Sequence, residues 1–151
     1  MRGFSSIGLH MPKDNLNVGS VLRAAKCYGV SVVAITGTRY SRARTDTTKA
    51  YGSIPLIRCD DLKTCIPYAT VPVAVEFISS ARNLIGYHHP ESAFYVFGPE
   101  DGTLGEKVLG WCRDVIYVPT SYCMNLAATV NVILYDRMAK QAACKPVRNL
   151  A

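Results

Sequence analysis

Three short polar clusters contain the side chains of this chain that could take part in chemistry. They are residues 17–25 (NVGSVLRAA), 97–104 (FGPEDGTL) and 118–136 (VPTSYCMNLAATVNVILYD). Each combines a glycine or proline with uncommitted polar side chains and a helical pattern, as in functional loops that a rigid scaffold holds. Three such clusters in one small domain predict that the loops converge on a single site.

The first cluster begins a helix. Either Asn15 or Asn17 can cap the helix N-terminus, and Gly19 allows another backbone to approach closely. Arg23 follows among apolar neighbours, where a guanidinium suits an anion or a polar group of a substrate. The alternative is an arginine that reaches solvent along its apolar stem.

The second cluster places two carboxylates, Glu100 and Asp101, between Gly98 and Gly102. It is neither a Walker loop nor a G-x-G-x-x-G loop. Adjacent side chains usually point apart and the chain has no second acidic cluster, so we expect no metal site. We interpret Glu100 as an acceptor for backbone N–H groups or a ribose hydroxyl, with a purely structural helix N-terminus before Leu104 as the alternative.

The third cluster follows a strand that ends at Pro119 and leads into a long helix. Asn125 stands at the expected cap position, which is a sufficient explanation for that residue alone. Of the six cysteines, Cys123 lies in this cluster, but no histidine is placed by the sequence to act as its base, so we do not expect a thiol enzyme. The cysteines form no C-x-x-C pair, and we interpret them as small buried hydrophobic residues.

The elements that must position these clusters alternate along the chain. Apolar runs typical of buried strands occur at 6–10, 30–36, 54–58, 71–77, 94–98 and 115–119, and helical patterns at about 18–28, 60–66, 104–112 and 125–141. This alternation predicts an α/β fold in which a mostly parallel sheet carries helices on both faces. All three clusters follow a strand end, where such sheets bind ligands.

The last helix has the clearest pattern. An apolar face is predicted for Leu126, Val130, Ile133, Leu134 and Met138. Arg137 is assigned to the polar face of the same helix.

Length and composition are typical of one globular domain. The 151 residues are 49% hydrophobic and 19% charged, so we expect a single packed domain over residues 1–151, with 142–151 as a candidate loose tail. No apolar run approaches the roughly 20 residues of a membrane span, and the N-terminal residues do not resemble a secretory signal. These observations predict a cytoplasmic protein with no membrane partner.

A formal net charge of +6 favours a polyanionic partner. Arg39, Arg42, Arg44 and Lys49 fall within one Gly- and Thr-rich connection. We interpret these four side chains as an electrostatic footprint for RNA or DNA phosphates, and a solvated loop is the alternative.

Taken in order, the clusters resemble the three motifs of the SpoU/TrmH family of RNA ribose 2'-O-methyltransferases, in the SPOUT superfamily. The resemblance covers roughly residues 5–141. The matching residues are Asn17, Gly19 and Arg23 for the first motif, Gly98 and Glu100 for the second, and Val118, Pro119, Cys123, Met124 and Asn125 for the third. The chain departs from the pattern at Cys123 and Ala127, where serine is usual, and its third-motif loop is short.

The resemblance implies an α/β fold whose C-terminal part forms a trefoil knot, and a homodimer that binds S-adenosylmethionine near the subunit interface. Carried over residue by residue, the cofactor pocket would be built from Val75, Glu76, Gly98, Val118, Cys123 and Met124. The minimal single-domain members that this chain resembles modify tRNA, so tRNA is the implied substrate.

The implied reaction moves the methyl group of S-adenosylmethionine to a ribose 2'-oxygen and leaves S-adenosylhomocysteine as product. The family assigns removal of the hydroxyl proton to the residue that matches Arg23. Because a guanidinium stays protonated, we interpret Arg23 as stabilising the developing alkoxide or as contacting an RNA phosphate. Asn17, Glu100 and Asn125 would position Arg23, the ribose and the cofactor loop.

Two alternatives stay open on these residues. A knotted homologue could bind RNA or the cofactor without turnover, which the departures at Cys123 and Ala127 motivate. An unrelated small α/β ligand-binding domain could carry the three matches by coincidence.

Overall fold

The computed structural model describes residues 3–38 and 52–143, in which seven strands form one parallel sheet. In chain order the strands are β1 (Ser5–Leu9), β2 (Val33–Ile35), β3 (Leu56–Arg58), β4 (Val71–Val75), β5 (Arg82–Asn83), β6 (Ala93–Phe97) and β7 (Asp114–Tyr117). Their order across the sheet is β3-β2-β1-β6-β4-β7-β5, and every neighbouring pair is parallel. The predicted parallel α/β fold is therefore confirmed.

Helices lie on both faces of the sheet, as predicted. Helices α1 (Asn15–Cys27) and α3 (Leu126–Ala143) pack against each other in the larger apolar core. Helix α2 (Gly105–Leu109) and a 3-10 helix at Leu62–Cys65 belong to a smaller core on the opposite face. Strand β6 is buried at every residue, and its side chains alternate between the two cores. Because both faces of the strand are covered, its sequence is apolar without interruption.

Several local predictions differ from the structure. The pattern at 60–66 forms a 3-10 helix, and neither the short strand β5 nor a second 3-10 helix at Leu84–Gly86 was predicted. The expectation that Asn15 or Asn17 caps α1 is wrong. Asp14 is the cap: its backbone is extended, and its carboxylate accepts a hydrogen bond from the Leu16 backbone N–H at 2.8 Å.

The second half of α3 also departs from its predicted faces. Arg137 is only 5% exposed, whereas Met138 is 46% exposed. The Arg137 guanidinium donates to the carbonyl of Pro90 at 2.6 Å and to those of Glu91 and Phe4. These carbonyls lie just before β6 and β1 and need hydrogen-bond donors. The predicted polar face is therefore wrong at Arg137, because this long-range requirement outweighs the helical pattern.

A partly buried polar cluster includes this arginine. We call it the amino-edge network, and it consists of His89, Tyr95, Asp136, Arg137 and Lys140. The Tyr95 hydroxyl lies 2.6 Å from Nδ1 of His89, and the His89 Nε2 lies 2.8 Å from Oδ2 of Asp136. Lys140 Nζ reaches the same Asp136 oxygen at 2.7 Å. The network therefore joins α3 to the chain before β6 and to β6 itself.

Electrostatics sets the proton positions in the amino-edge network. Burial lowers the pKa of His89 and outweighs the opposing effect of Asp136, so the ring is neutral at pH 7. The contact with Asp136 is then a hydrogen bond donated by Nε2–H, and Nδ1 accepts from the Tyr95 hydroxyl. Burial raises the pKa of Tyr95 to about 12, which keeps that hydroxyl protonated.

The remaining expectations have mixed outcomes. Cys27 and Cys123 are exposed, so their interpretation as buried residues is wrong, whereas Cys59, Cys65 and Cys112 are half-buried and pack against the smaller core. Arg39, Arg42, Arg44 and Lys49 lie outside the described residues, as do Cys144 and the rest of 144–151, whereas residues 142 and 143 belong to α3. Within the described ranges, no helix is long and apolar enough to cross a membrane.

Candidate active site

The three polar clusters converge on one pocket of about 520 Å³ at the carboxyl edge of the sheet. Its lining includes all six residues expected to hold a cofactor, namely Val75, Glu76, Gly98, Val118, Cys123 and Met124. It also includes three of the four expected catalytic residues, namely Asn17, Glu100 and Asn125. The fold thus brings together side chains that are separated by up to about a hundred positions in the sequence.

Strand register explains the convergence. Val75 at the end of β4 pairs with Phe97 at the end of β6, and Val75 also pairs with Ile116 near the end of β7. The three strands therefore end at the same level, so that Glu76, Gly98 and Val118 emerge side by side. This is the edge at which parallel sheets bind ligands, because the connecting loops leave a crevice there.

Glu76 ties two of these strand ends together. Its carboxylate accepts hydrogen bonds from the backbone N–H groups of Leu104 at 2.9 Å and Phe77 at 3.1 Å. A Cβ atom at Gly98 would lie 3.3 Å from the Leu104 nitrogen and 3.5 Å from the Glu76 carboxylate. A side chain at Gly98 would push the loop after β6 away from β4, which gives this glycine a packing role at the pocket.

A chain of side-chain hydrogen bonds crosses the mouth of the pocket. We call Asn17, Glu100 and Asn125 the pocket network. Asn17 Nδ2 donates to Glu100 Oε1 at 2.7 Å, and Asn125 Nδ2 donates to Asn17 Oδ1 at 2.8 Å. These contacts join the three motifs that the sequence pattern singled out, one residue from each.

The Glu100 carboxylate is also held by backbone. It accepts from the N–H groups of Lys13 at 2.8 Å and Asp14 at 3.4 Å, both in the turn before α1. Partial burial alone would raise the pKa of Glu100, but the hydrogen bonds from Lys13, Asn17 and Asp14 outweigh it and lower the pKa. Glu100 is therefore a fixed carboxylate and a weak base.

Asn125 has two roles at once. Its Oδ1 accepts from the backbone N–H of Ala127 at 2.9 Å and of Ala128 at 3.3 Å, which confirms the predicted cap of α3. Its Nδ2 remains available and donates to Asn17. The Asn125 side chain can cap the helix and contact Asn17 at the same time, because an amide presents both a donor and an acceptor.

Arg23 is the predicted catalytic residue that the single chain does not bring to the pocket. It is exposed and is not among the lining residues. From helix geometry, a six-residue step from Asn17 turns Arg23 by about 120° around α1 and moves it about 9 Å along the axis. Across residues 3–38 and 52–143, no hydrogen bond or ion pair engages its guanidinium.

The charge of the pocket is one-sided. Of the described lining residues, Glu76 and Glu100 are acidic and none is basic. An exposed ion pair between Lys13 and Asp101, at 3.4 Å, lies beside Glu100. The lining therefore favours a cationic or neutral ligand over a free anion.

Two aromatic side chains at the pocket were missed by the sequence interpretation. Tyr122 and Phe77 both line it, and they are 88% and 74% exposed. Phe77 packs edge-on against Tyr117 with ring centroids 5.4 Å apart. The signal that could have revealed Tyr122 is an aromatic residue between polar neighbours in a loop that follows a strand end.

In the part of the chain that the structure describes, no group of three or more His, Cys, Asp or Glu side chains could hold a metal ion.

Fold and site together define an α/β protein with a ligand pocket at the carboxyl edge of its parallel sheet. The model of the SpoU rRNA Methylase family matches residues 5–135. The chain belongs to that family. No curated protein sequence matches the chain significantly.

Solved structures share the fold. AviRb from Streptomyces viridochromogenes, a SpoU methyltransferase in complex with AdoMet, has a TM-score of 0.83 at 16% identity over 96% of this chain and 60% of its own. A TrmH/SpoU tRNA modifying enzyme from A. aeolicus has a TM-score of 0.81 at 13% identity, over 92% of this chain and 76% of its own. The chain thus spans about 60% of the length of AviRb.

A third structure matches almost from end to end. It concerns the 2-OH methylation of C/U34 on tRNA, with a TM-score of 0.78 at 19% identity, over 94% of this chain and 93% of its own. At such identities, the similarity of all three structures shows a common fold.

Proposed function

We propose that this protein transfers the methyl group of S-adenosylmethionine to a ribose 2'-hydroxyl of RNA, and that the RNA is tRNA. The observation that carries the proposal is the pocket network. Asn17, Glu100 and Asn125 come from three separate motifs and are joined by hydrogen bonds of 2.7 and 2.8 Å at the mouth of one pocket.

The residues present fit S-adenosylmethionine. A cavity of about 520 Å³ lies within the roughly 300–1,000 Å³ of small-molecule sites. The strand ends Val75 and Val118 offer apolar surface to an adenine, and Glu76 and Glu100 complement the positive sulfonium and ammonium groups. When bound, the cofactor supplies an electrophilic methyl group.

The pocket network would position the reacting ribose. Glu100 is a weak base because its pKa is lowered, so its carboxylate is better suited to orient Asn17 and the ribose than to remove the hydroxyl proton. Arg23 would stabilise the alkoxide that develops as the 2'-oxygen attacks the methyl carbon. Cys123 and Met124, which line the pocket, would form the cofactor loop.

Arg23 can contact a ribose at the pocket network if the arginine comes from a second copy of the chain. We therefore propose a homodimer in which Arg23 of one copy completes the pocket of the other. Exposed apolar side chains support an interface on α1 and α3: Leu16 is 53%, Tyr135 is 58% and Met138 is 46% exposed. The two helices pack together on one face of the sheet, so an interface there would cover both of them.

The choice of tRNA is supported by structural similarity and charge. The structure that concerns the 2-OH methylation of C/U34 on tRNA has the same fold, with a TM-score of 0.78 at 19% identity. A net charge of +6 suits a polyanion, and we keep Arg39, Arg42, Arg44 and Lys49 as the proposed phosphate contacts. A single domain over residues 1–151, its trefoil knot and a cytoplasmic location belong to the same proposal.

The first test is transfer of labelled methyl from S-adenosylmethionine to total tRNA and, in parallel, to total rRNA, followed by nucleoside analysis. We expect a 2'-O-methylated nucleoside from the tRNA pool. Label in rRNA alone would reassign the substrate, and label on a base would overturn the ribose assignment. Cofactor binding by calorimetry without any transfer would favour the non-catalytic binding homologue.

The second test is complementation between two inactive variants, Arg23→Ala and Glu100→Gln. Mixed dimers would contain one intact pocket, so random exchange should restore about a quarter of the parent activity. The Arg23→Ala variant alone should bind S-adenosylmethionine with nearly parental affinity. No recovery on mixing, together with a monomer in analytical ultracentrifugation, would contradict the shared site.

A further inference from the structure

Tyr122 is held in an unusual position for a large aromatic residue. Its side chain is 88% exposed although the residue lines the pocket. The backbone beneath it is fixed, because the Thr120 hydroxyl donates to the Tyr122 carbonyl at 2.8 Å and the Thr120 N–H donates to the Val118 carbonyl at 2.9 Å. A short hydrogen-bonded turn therefore presents the ring to solvent at the rim.

The ring has open faces. Phe77, the other exposed aromatic side chain at the rim, is braced edge-on against Tyr117. Among the described residues, Tyr122 makes no such ring contact. A ring left in water loses the free energy of burial, so a ligand that covers the ring would gain that energy.

The surroundings favour a flat, uncharged ligand group on the ring. Among the described residues, the lining has two carboxylates and no lysine or arginine, which favours an uncharged group over a phosphate beside the ring. Aromatic side chains that bind single-stranded nucleic acid do so by stacking on bases, which every base permits. The expected cofactor residues Val75, Gly98 and Val118 lie at the strand ends, whereas Tyr122 extends on the solvent side, from which a macromolecule approaches.

We propose that Tyr122 is the platform on which the target nucleobase stacks while its ribose lies over the pocket network. This inference rests on the proposed function and makes Tyr122 a positioning residue for the substrate. Stacking requires the ring and not the hydroxyl, so phenylalanine should replace tyrosine and an aliphatic side chain should not.

The experiment compares Tyr122→Ala, Tyr122→Leu and Tyr122→Phe with Tyr68→Ala. Tyr68 is 97% exposed and precedes β4, at the opposite edge of the sheet from the pocket, so it controls for loss of an exposed tyrosine. The readouts are KM and kcat for total tRNA, the Kd of S-adenosylmethionine by calorimetry, and binding of total tRNA by filter retention.

For Tyr122→Ala and Tyr122→Leu we expect KM for tRNA and the tRNA Kd to rise on the order of tenfold, as loss of one stacked base predicts. The S-adenosylmethionine Kd should stay unchanged, and Tyr122→Phe and Tyr68→Ala should behave like the parent. Unchanged tRNA affinity in Tyr122→Ala overturns the proposal, as does a parallel loss of cofactor affinity, which would place the ring over the cofactor adenine.

The two proposals fail in different ways. Absence of methyl transfer by the parent protein counts against the proposed function and is seen before any variant is made. Filter retention needs no turnover, so it tests Tyr122 even then. Failure of Tyr122→Phe to restore tRNA binding would assign the effect to the hydroxyl and overturn stacking.

Discussion

The two polar networks of this protein lie at opposite ends of α3 and are built differently. The pocket network begins at the cap residue Asn125, before the first turn of the helix. The amino-edge network uses Asp136, Arg137 and Lys140, in the helix's second half. One helix is thus fixed by polar contacts at both edges of the same sheet.

The networks differ in how far solvent and a ligand can reach them. In the amino-edge network, His89 and Tyr95 are enclosed, and among the described residues no buried side-chain nitrogen or oxygen lacks a partner. In the pocket network the hydrogen bonds between side chains are exposed, and all three residues face the pocket. The comparison indicates that closed networks stabilise a fold, whereas an open network keeps groups in position for a ligand.

The largest expected effects come from one matched change of carboxylate to amide in each network. Glu100→Gln replaces one carboxylate oxygen with an NH2 group, which then faces either the Lys13 N–H or the Asn17 amide as donor against donor, so kcat/KM should fall on the order of 100-fold. Its free energy of unfolding should change by about 1 kcal/mol or less, because the site is exposed.

Asp136→Asn should behave in the opposite way. The change weakens the acceptor shared by His89 and Lys140, and should lower the free energy of unfolding by about 1–3 kcal/mol. Methyl transfer by the folded variant should stay near the parent rate. Denaturant unfolding and transfer kinetics of both variants measure the contrast, and equal stability losses would show that the networks do not differ as described.

A smaller effect separates the two roles of Asn125. Asn125→Ala removes the cap and should cost about 1 kcal/mol of stability, whereas Asn125→Ser retains a capping oxygen and should stay within a few tenths. Neither side chain can reach Asn17, so both variants should lose about tenfold in kcat/KM. Thermal unfolding beside transfer assays checks this. If serine restored activity as well as stability, the link to Asn17 would have no positioning role.

The smallest effect is a pH dependence that differs between the networks. Burial lowers the pKa of His89 from its ordinary 6.5 in the folded protein. As the pH falls below about 6.5, the unfolded chain therefore takes up a proton at His89 before the folded protein does, and the free energy of unfolding should decrease. Net hydrogen bonding lowers the pKa of Glu100 from 4.5, so its contribution should be lost only below about pH 4.5.

Melting temperatures of the parent and of His89→Gln between pH 7.5 and 5.5 test this order. The variant should lose less stability over the range than the parent. Burial also lowers the pKa of His10, so His10→Gln is the matched control. This variant should remove only the part of the pH dependence of stability that comes from His10. An unchanged slope in His89→Gln would mean that His89 does not titrate in this window.

Much of the scaffold follows from local sequence. β-branched and aromatic runs predict β1, β4, β6 and β7 within two residues at each end, because such runs suit strands buried on both faces. The apolar spacing in the first half of α3 predicts its buried face in the same way. Local patterns did not predict β5, a two-residue strand with too few side chains to form a pattern.

The sequence by itself determined the parallel α/β class, the strand ends that line the pocket and the three motif residues Asn17, Glu100 and Asn125. Tertiary structure alone decided which of these touch: Asn17 and Glu100 are 83 positions apart, and Asn17 and Asn125 are 108 apart. The same holds for the burial of Arg137 and the exposure of Arg23 and Tyr122. Helical and strand periodicity depends on neighbours along the chain, whereas these contacts depend on the order and register of strands in the sheet.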